Sequence, residues 1–305
     1  MIECFKIQLL SFDNEKDIFN IKRGKRIFGV DCLKPYFKAN PTIIVADPFL
    51  FEYKGKLHLF YESKGLYTPG VLMMTSTSDL IHWSKPVVVL KEPFHLSYPW
   101  VFEEKGKVYM IPETGQDGSI RLYEATNDSL SSFRLVKKLL EQPKDKEIRM
   151  GYGDSSIHKK NGRYYLMTML QYREPVNVLE LYISDKLEGP YTAHSCSPII
   201  KSNKVGRDAG CWIEHQGKLL RVSQDCTYRY GDNVHVSEIT KLSPTEYEEI
   251  ILKEKILPPD IPFYKEGGHQ FNVINFKGKW IVATDAKEYH RLLISRIIHK
   301  IKRML

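Results

Sequence analysis

Five segments of the chain repeat one pattern: a small or polar residue, an apolar stretch, a turn holding glycine, and a second apolar run. This repetition constrains the fold more than any other feature, because a fixed period reports a repeated structural unit. The segments are ADPFLFEYKGKLHLFYES from Ala46, SYPWVFEEKGKVYMIPET from Ser97, GDSSIHKKNGRYYLMTM from Gly153, DAGCWIEHQGKLLRVSQD from Asp208 and HQFNVINFKGKWIVATD from His269. Their turn glycines, Gly55, Gly106, Gly162, Gly217 and Gly278, lie 51, 56, 55 and 61 residues apart. Glycine flanked by apolar strands is the mark of a tight hairpin. The apolar spacing of three and four that helical repeats require is missing.

A period of roughly 50 residues built from strands fits four-stranded blades set around an axis. The expected fold is therefore all-β: a five-bladed β-propeller over residues 41–286 with a short C-terminal basic amphipathic helix in the tail, residues 287–305. Residues 1–40 are an N-terminal extension that supplies either outer strands or a cap. Composition agrees: 12% of the 305 residues are aromatic, and aromatic side chains pack well on pleated surfaces.

In such a ring the first strand of each blade runs nearest the axis, so equivalent positions on these strands face a common funnel. Eight residues before each turn glycine stand Asp47, Tyr98, Asp154, Ala209 and Gln270; one step earlier in the last two blades are Asp208 and His269. Carboxylates that converge on one cavity are costly unless protonated, paired or functional. Seven residues after the glycines stand Glu62, Glu113, Met169, Gln224 and Asp285, four of them polar. Each aspartate also has a plain structural reading. Asp47 before Pro48 and Asp154 beside Gly153 suit turn caps, and Asp208 can pair with Arg207.

The motifs carry a resemblance. ADPFLF with its hairpin, Ser78-Asp79-Leu80-Ile81-His82-Trp83 (similar to an S-x-D-L-x-H-W motif), and Ser184–Tyr191 (SDKLEGPY) resemble glycoside hydrolase families 32, 43, 68 and 130. GRDAGCWIEHQGKLLRVSQDCTYRYG resembles more closely the propeller domain of glucosamine inositolphosphorylceramide transferases. The first likeness implies Asp47 as general base, Asp154 as pKa modulator and Asp208 as general acid, although the acid of family 43 is normally Glu. The second implies that Arg207, Gly210, Arg221, Gln224, Asp225, Tyr230 and Gly231 form the family-specific part of the site. Glu62, Glu113 and His269 complete the expected substrate contacts, with Tyr98 and Trp100 as an aromatic sugar platform.

These likenesses imply a carbohydrate-active enzyme, hydrolase or glycosyltransferase, in cell-surface polysaccharide or glycolipid metabolism. The alternative is a carbohydrate-binding or scaffolding propeller without catalysis. The partner is a sugar or glycan, phosphorylated or nucleotide-linked if Arg207 and Arg221 hold phosphate through paired hydrogen bonds. No cofactor and no metal are expected; His269 would be the natural ligand for an axial cation.

The net charge of +8 permits anionic partners, but no basic stripe with exposed aromatics outside the tail suggests nucleic acid. Cys4, Cys32, Cys196, Cys211 and Cys226 contain no CxxC pair, which argues against a disulfide framework or zinc site. The first residues lack the layout of a signal peptide and no run is long enough to span a membrane, so a cytoplasmic location is expected. In the tail, Leu293, Ile297 and Ile301 recur at helical spacing among Lys287, Arg291, Arg296, Lys300 and Lys302. Such a helix can lie on the inner membrane face, pack on the propeller or pair with a partner helix.

Overall fold

The computed structural model describes residues 1–33, 39–145 and 147–304. Residues 34–38, within the N-terminal extension read from the sequence, lie outside the described residues. The chain begins with β1 (Ile2–Phe12) and β2 (Lys25–Val30), and four complete blades follow. Blade 1 is β3 (Thr42–Tyr53), β4 (Lys56–Gly65), β5 (Val71–Thr77) and β6 (Val87–Leu90). Blade 2 is β7 (Ser97–Glu104), β8 (Lys107–Glu113), β9 (Ser119–Ala125) and β10 (Phe133–Glu141). Blade 3 is β11 (Ile148–Lys160), β12 (Arg163–Tyr172) and β13 (Asn177–Ser184), edged by β14 (Thr192–Ala193) and β15 (Ile200–Lys201). Blade 4 is β16 (Ile213–His215), β17 (Lys218–Asp225), β18 (Asn233–Leu242) and β19 (Tyr247–Lys253).

Blade 5 joins the two ends of the chain. Its inner strands are β20 (Phe271–Phe276) and β21 (Lys279–His290), and its outer strands are β1 and β2. β1 pairs with β21 from Ile2↔His290 to Phe12↔Trp280. The product is a five-bladed β-propeller with one short helix, α1 (Leu293–Met304). Pairing the N-terminal strand into the last sheet closes the ring and leaves no blade half-built.

The repeat glycines sit at the tips of the inner hairpins, where both central residues have positive φ. The pairs are Lys54/Gly55 (49°, 72°), Lys105/Gly106 (52°, 75°), Asn161/Gly162 (50°, 79°), Gln216/Gly217 (51°, 74°) and Lys277/Gly278 (51°, 79°). This is the type I′ geometry, whose twist matches that of the flanking strands.

Apolar side chains fill the wedges between blades. Phe49 of blade 1 meets Tyr98 of blade 2 edge to face at 4.8 Å, and the Leu50 amide donates to Asn272 Oδ1 of blade 5 at 2.9 Å. Near the axis three inner hairpins are bulged at the same repeat position, between Ala46 and Phe49, Ser97 and Trp100, and Gly153 and Ser156. Each bulge contains a residue in the left-handed conformation: Asp47 (φ 53°), Tyr98 (φ 47°) and Asp154 (φ 51°). A bulge re-aims a side chain at the cost of a paired position. A non-glycine residue held at positive φ costs of order 1–3 kcal/mol and clusters at functional sites.

Candidate functional site

The blade 1 bulge sets Asp47 on the wall of a cavity of about 540 Å³ at the axial end of the inner strands. Asp47, Glu62, Glu113, Arg207, Tyr230 and His269 line it, together with Lys64, His95 and Arg149. Three of these residues are carboxyls from blades 1 and 2.

Asp47 is held on two sides. Its Oδ2 accepts the Tyr98 amide at 3.0 Å, and its own amide donates to Asp285 Oδ2 at 3.2 Å. His269 lies between two carboxylates, with Nδ1 2.6 Å from Asp285 and Nε2 3.5 Å from Asp47. Asp285 Oδ1 also accepts the amides of His269 and Gln270. These three side chains bring ligand-type atoms within 4.8 Å of one another. Burial opposes the charge on His269, but the two carboxylates outweigh it and raise its pKa. Both carboxylates therefore favour the protonated form of this imidazole. Phe5 of β1 stacks on the imidazole at 4.7 Å.

Burial, with the charge of Asp154 added, raises Asp47 to about 6, although His269 pulls the other way. Burial and then Asp154 raise Glu113 to about 8. Burial and Asp47 likewise lift Glu62, whose Oε1 makes no hydrogen bond and lies 3.5 Å from His95 Nε2. Burial, then Lys64, lowers His95 to about 4, which keeps it neutral. At pH 7 one cavity therefore holds a carboxylate at Asp47 and a carboxylic acid at Glu113.

Arg207 connects the carboxyls. Its Nε donates to Asp154 Oδ2, its Nη2 lies 3.8 Å from Glu113, and its guanidinium sits 4.9 Å from the centre of the Tyr230 ring. Asp154 is 2% exposed and stands behind Arg207, outside the residues that line the cavity. Gln224 bridges Asp154 Oδ2 and the Asp208 carbonyl.

Several expected contacts lie elsewhere. Asp208, Arg221, Gln224, Asp225, Tyr98 and Trp100 are buried and do not line the cavity. Asp208 accepts from Arg221 Nη1 at 2.8 Å, and Arg221 forks onto Glu249 at 2.8 and 2.7 Å. Four of that arginine's five N–H donors are engaged, and at 1% exposure it does not reach the cavity to hold a phosphate. Asp225 Oδ1 accepts the Thr227 amide, and its Oδ2 lies 3.3 Å from His235. The Tyr98 hydroxyl donates to the Gly210 carbonyl at 2.6 Å, joining blade 2 to blade 4 across the axis. Trp100 stacks on Phe102 at 4.3 Å within the apolar core. Much of the blade-four motif is thus internal architecture. Gly210 itself approaches Phe271 so closely that a Cβ would stand 2.1 Å from its carbonyl oxygen.

Lys64, His95 and Arg149 were not anticipated. Lys64 had a signal: it follows Glu62 by two residues, and alternate residues of a strand share a face. Glu3 and Phe5 also line the cavity, but only the closure of blade 5 by β1 brings them there. A second cavity of about 730 Å³ shares Lys64, His95, Glu113 and Arg149, and extends past Tyr67 and Gln116.

The family described as glucosamine inositolphosphorylceramide transferase 1, N-terminal, matches residues 29–285. The chain belongs to this family. The glucosamine inositolphosphorylceramide transferase 1 of Oryza sativa subsp. japonica is 32% identical over 226 residues, covering 72% of this chain and 29% of that protein. Its counterpart in Arabidopsis thaliana is 33% identical over 217 residues, covering 69% and 27%. The chain thus spans less than a third of these relatives' length. Among solved structures, a thermostable family-43 glycoside hydrolase superposes with TM-score 0.56 at 14% identity, covering 81% of this chain and 90% of that one. The family 32 β-fructofuranosidase of Bombyx mori gives 0.55 at 17%, covering 78% and 54%. These structures share the fold of the transferase-family propeller.

Proposed function

We propose that the axial cavity makes or breaks a glycosidic bond. The observation that carries this is the pair of carboxyls held in opposite protonation states, Asp47 near 6 and Glu113 near 8. Glycosyl chemistry calls for one carboxylate and one acid on either side of the anomeric centre, and separated pKa values assign the roles. Asp47 is the base or nucleophile. Glu113 donates the proton, a role the family resemblance gave to Asp208, which is committed to Arg221. Asp154 acts as modulator: its charge raises both carboxyls and it positions Arg207.

The substrate is a sugar or glycan that fills the axial cavity. A phosphate or diphosphate on the donor would sit in the adjoining cleft, where Lys64 and Arg149 are the cations on offer; Arg207 is engaged by Asp154. The five free thiols suit a reducing, cytoplasmic setting. The setting we favour is surface-polysaccharide or glycolipid metabolism, at the inner membrane face.

The test is a screen of glycosyl phosphates, nucleotide sugars and glycans against the wild type, Asp47→Asn and Glu113→Gln. Each variant should lose turnover by about 10²–10⁴-fold while ligand binding changes little. Full turnover in both variants would sink the assignment. Ligand binding with no turnover in any form would instead favour a non-catalytic carbohydrate-binding propeller, the reading that the ion-paired Asp208 supports.

A further inference from the structure

A helix on a soluble protein normally turns its apolar stripe inward. α1 is arranged the other way. Leu293, Ile294, Ile297 and Ile301 form one stripe and are 68, 53, 51 and 52% exposed. Ser295, at 1%, is buried instead, and His299 stacks on Tyr67 at 3.7 Å. The helix is therefore held on the propeller by buried Leu292 just before it, by Ser295 and by His299, with Ile298 half-buried and the four stripe residues presented to solvent.

The charges around the stripe share one sign. Arg291, Arg296, Lys300 and Lys302 surround it, and the helix has no acidic residue. Among the described residues no carboxylate pairs with any of these four cations. An exposed apolar stripe flanked by unpaired cations matches a surface with an oily interior and anionic headgroups. With 12 residues, α1 has the length to lie along such a surface, and among the described residues no helix is long and apolar enough to cross it.

The position of the helix ties this surface to the cavity. β21 runs outward past Asp285, so α1 starts at the end of the propeller that carries the cavity. Tyr67, on which His299 stacks, lines the adjoining cleft with Lys64 and Arg149. We infer that α1 docks the cavity-bearing end of the propeller on an anionic lipid bilayer, with the cleft opening beside the headgroups. A membrane-held sugar substrate would then reach the cleft without leaving the bilayer. This goes beyond the reading of the cavity and stands without it.

The test is co-sedimentation of the full chain with vesicles of phosphatidylcholine alone and of phosphatidylcholine mixed with phosphatidylglycerol. Binding should require phosphatidylglycerol and weaken with salt. Ile297→Glu with Ile301→Glu should reduce it at least about tenfold with far-UV circular dichroism unchanged. Lys300→Ala with Lys302→Ala should weaken it by about tenfold or more. Tryptophan emission in Ile297→Trp should shift to the blue on anionic vesicles. Asp47→Asn should bind vesicles as the wild type does, whatever becomes of turnover.

Three results would overturn the inference. One is a wild type that ignores anionic vesicles. Another is binding that survives the double glutamate variant, which would leave charge alone as the cause. The third is a dimer in solution that the same variant dissociates, because a second copy would then cover the stripe.

Discussion

Replacing Arg221 with Met tests whether the blade-four motif is architecture. Arg221 is 1% exposed and donates twice to Glu249, once to Asp208 and once to the Val205 carbonyl. Burial opposes the charge on Glu249, but the guanidinium outweighs it and holds this carboxyl below its ordinary value. Asp208, which shares only one bond with the fork, is pushed to about 7 by burial despite Arg221.

Methionine matches much of the volume and removes the charge. Breaking a buried pair by deleting one partner costs about 3–5 kcal/mol, because the other charge stays buried. Glu249 keeps its bond from the Tyr247 hydroxyl and is 10% exposed at its side chain, so the lower end, about 3 kcal/mol, applies. For a chain of this size that corresponds to a fall in Tm of about 5 °C. Guanidinium melts of wild type and variant give the difference directly. It should depend on pH in a defined sense. A carboxyl with a depressed folded-state pKa stabilises above its unfolded value and loses that contribution as the pH falls through the folded one. The deficit of the variant should therefore be complete at pH 7 and shrink below about 4.5. Adding Glu249→Leu should restore part of the loss. A deficit under about 1 kcal/mol at pH 7, or one that does not change with pH, would refute this account of the network.

Two further expectations concern the cavity and the repeat. The pH profile of turnover should rise as Asp47 ionises near 6 and fall as Glu113 loses its proton near 8, so a profile flat from pH 5 to 9 excludes this pair. Gly106→Ala should destabilise by about 1–2 kcal/mol, because the position has φ 75° and a Cβ there meets nothing within 4 Å. Thermal melts that match the wild type would show that the turn had relaxed away from its type I′ form.

Much of the architecture was legible along the chain. The five Gly turns at near-regular spacing determine the hairpins, since each tip needs two residues at positive φ and the strands between them are apolar. The same spacing marks Asp47, Tyr98 and Asp154 as equivalent, and all three are left-handed residues within bulges. The periodicity of the tail indicates an amphipathic helix.

Tertiary structure decided which equivalent residues meet the cavity. Repeat position brings Asp47, Asp154 and Asp208 near the axis, but an arginine intervenes at two of them: Arg207 covers Asp154, and Arg221 engages Asp208. Of the repeat-position carboxyls, Glu62 and Glu113 line the cavity beside Asp47, and Glu3 of β1 joins them. Lys287, read as part of the tail, stays in β21 opposite Phe5, buried with its ammonium on the Tyr230 carbonyl. The direction in which the stripe of α1 faces also depended on its anchor, His299 on Tyr67. The physical reason is one of range. Turn chemistry and strand periodicity act over a few neighbouring residues, so the sequence records them locally. The ion pairs and ring contacts that aim a side chain toward solvent, cavity or core join residues tens to hundreds of positions apart, and only the closed ring brings them together.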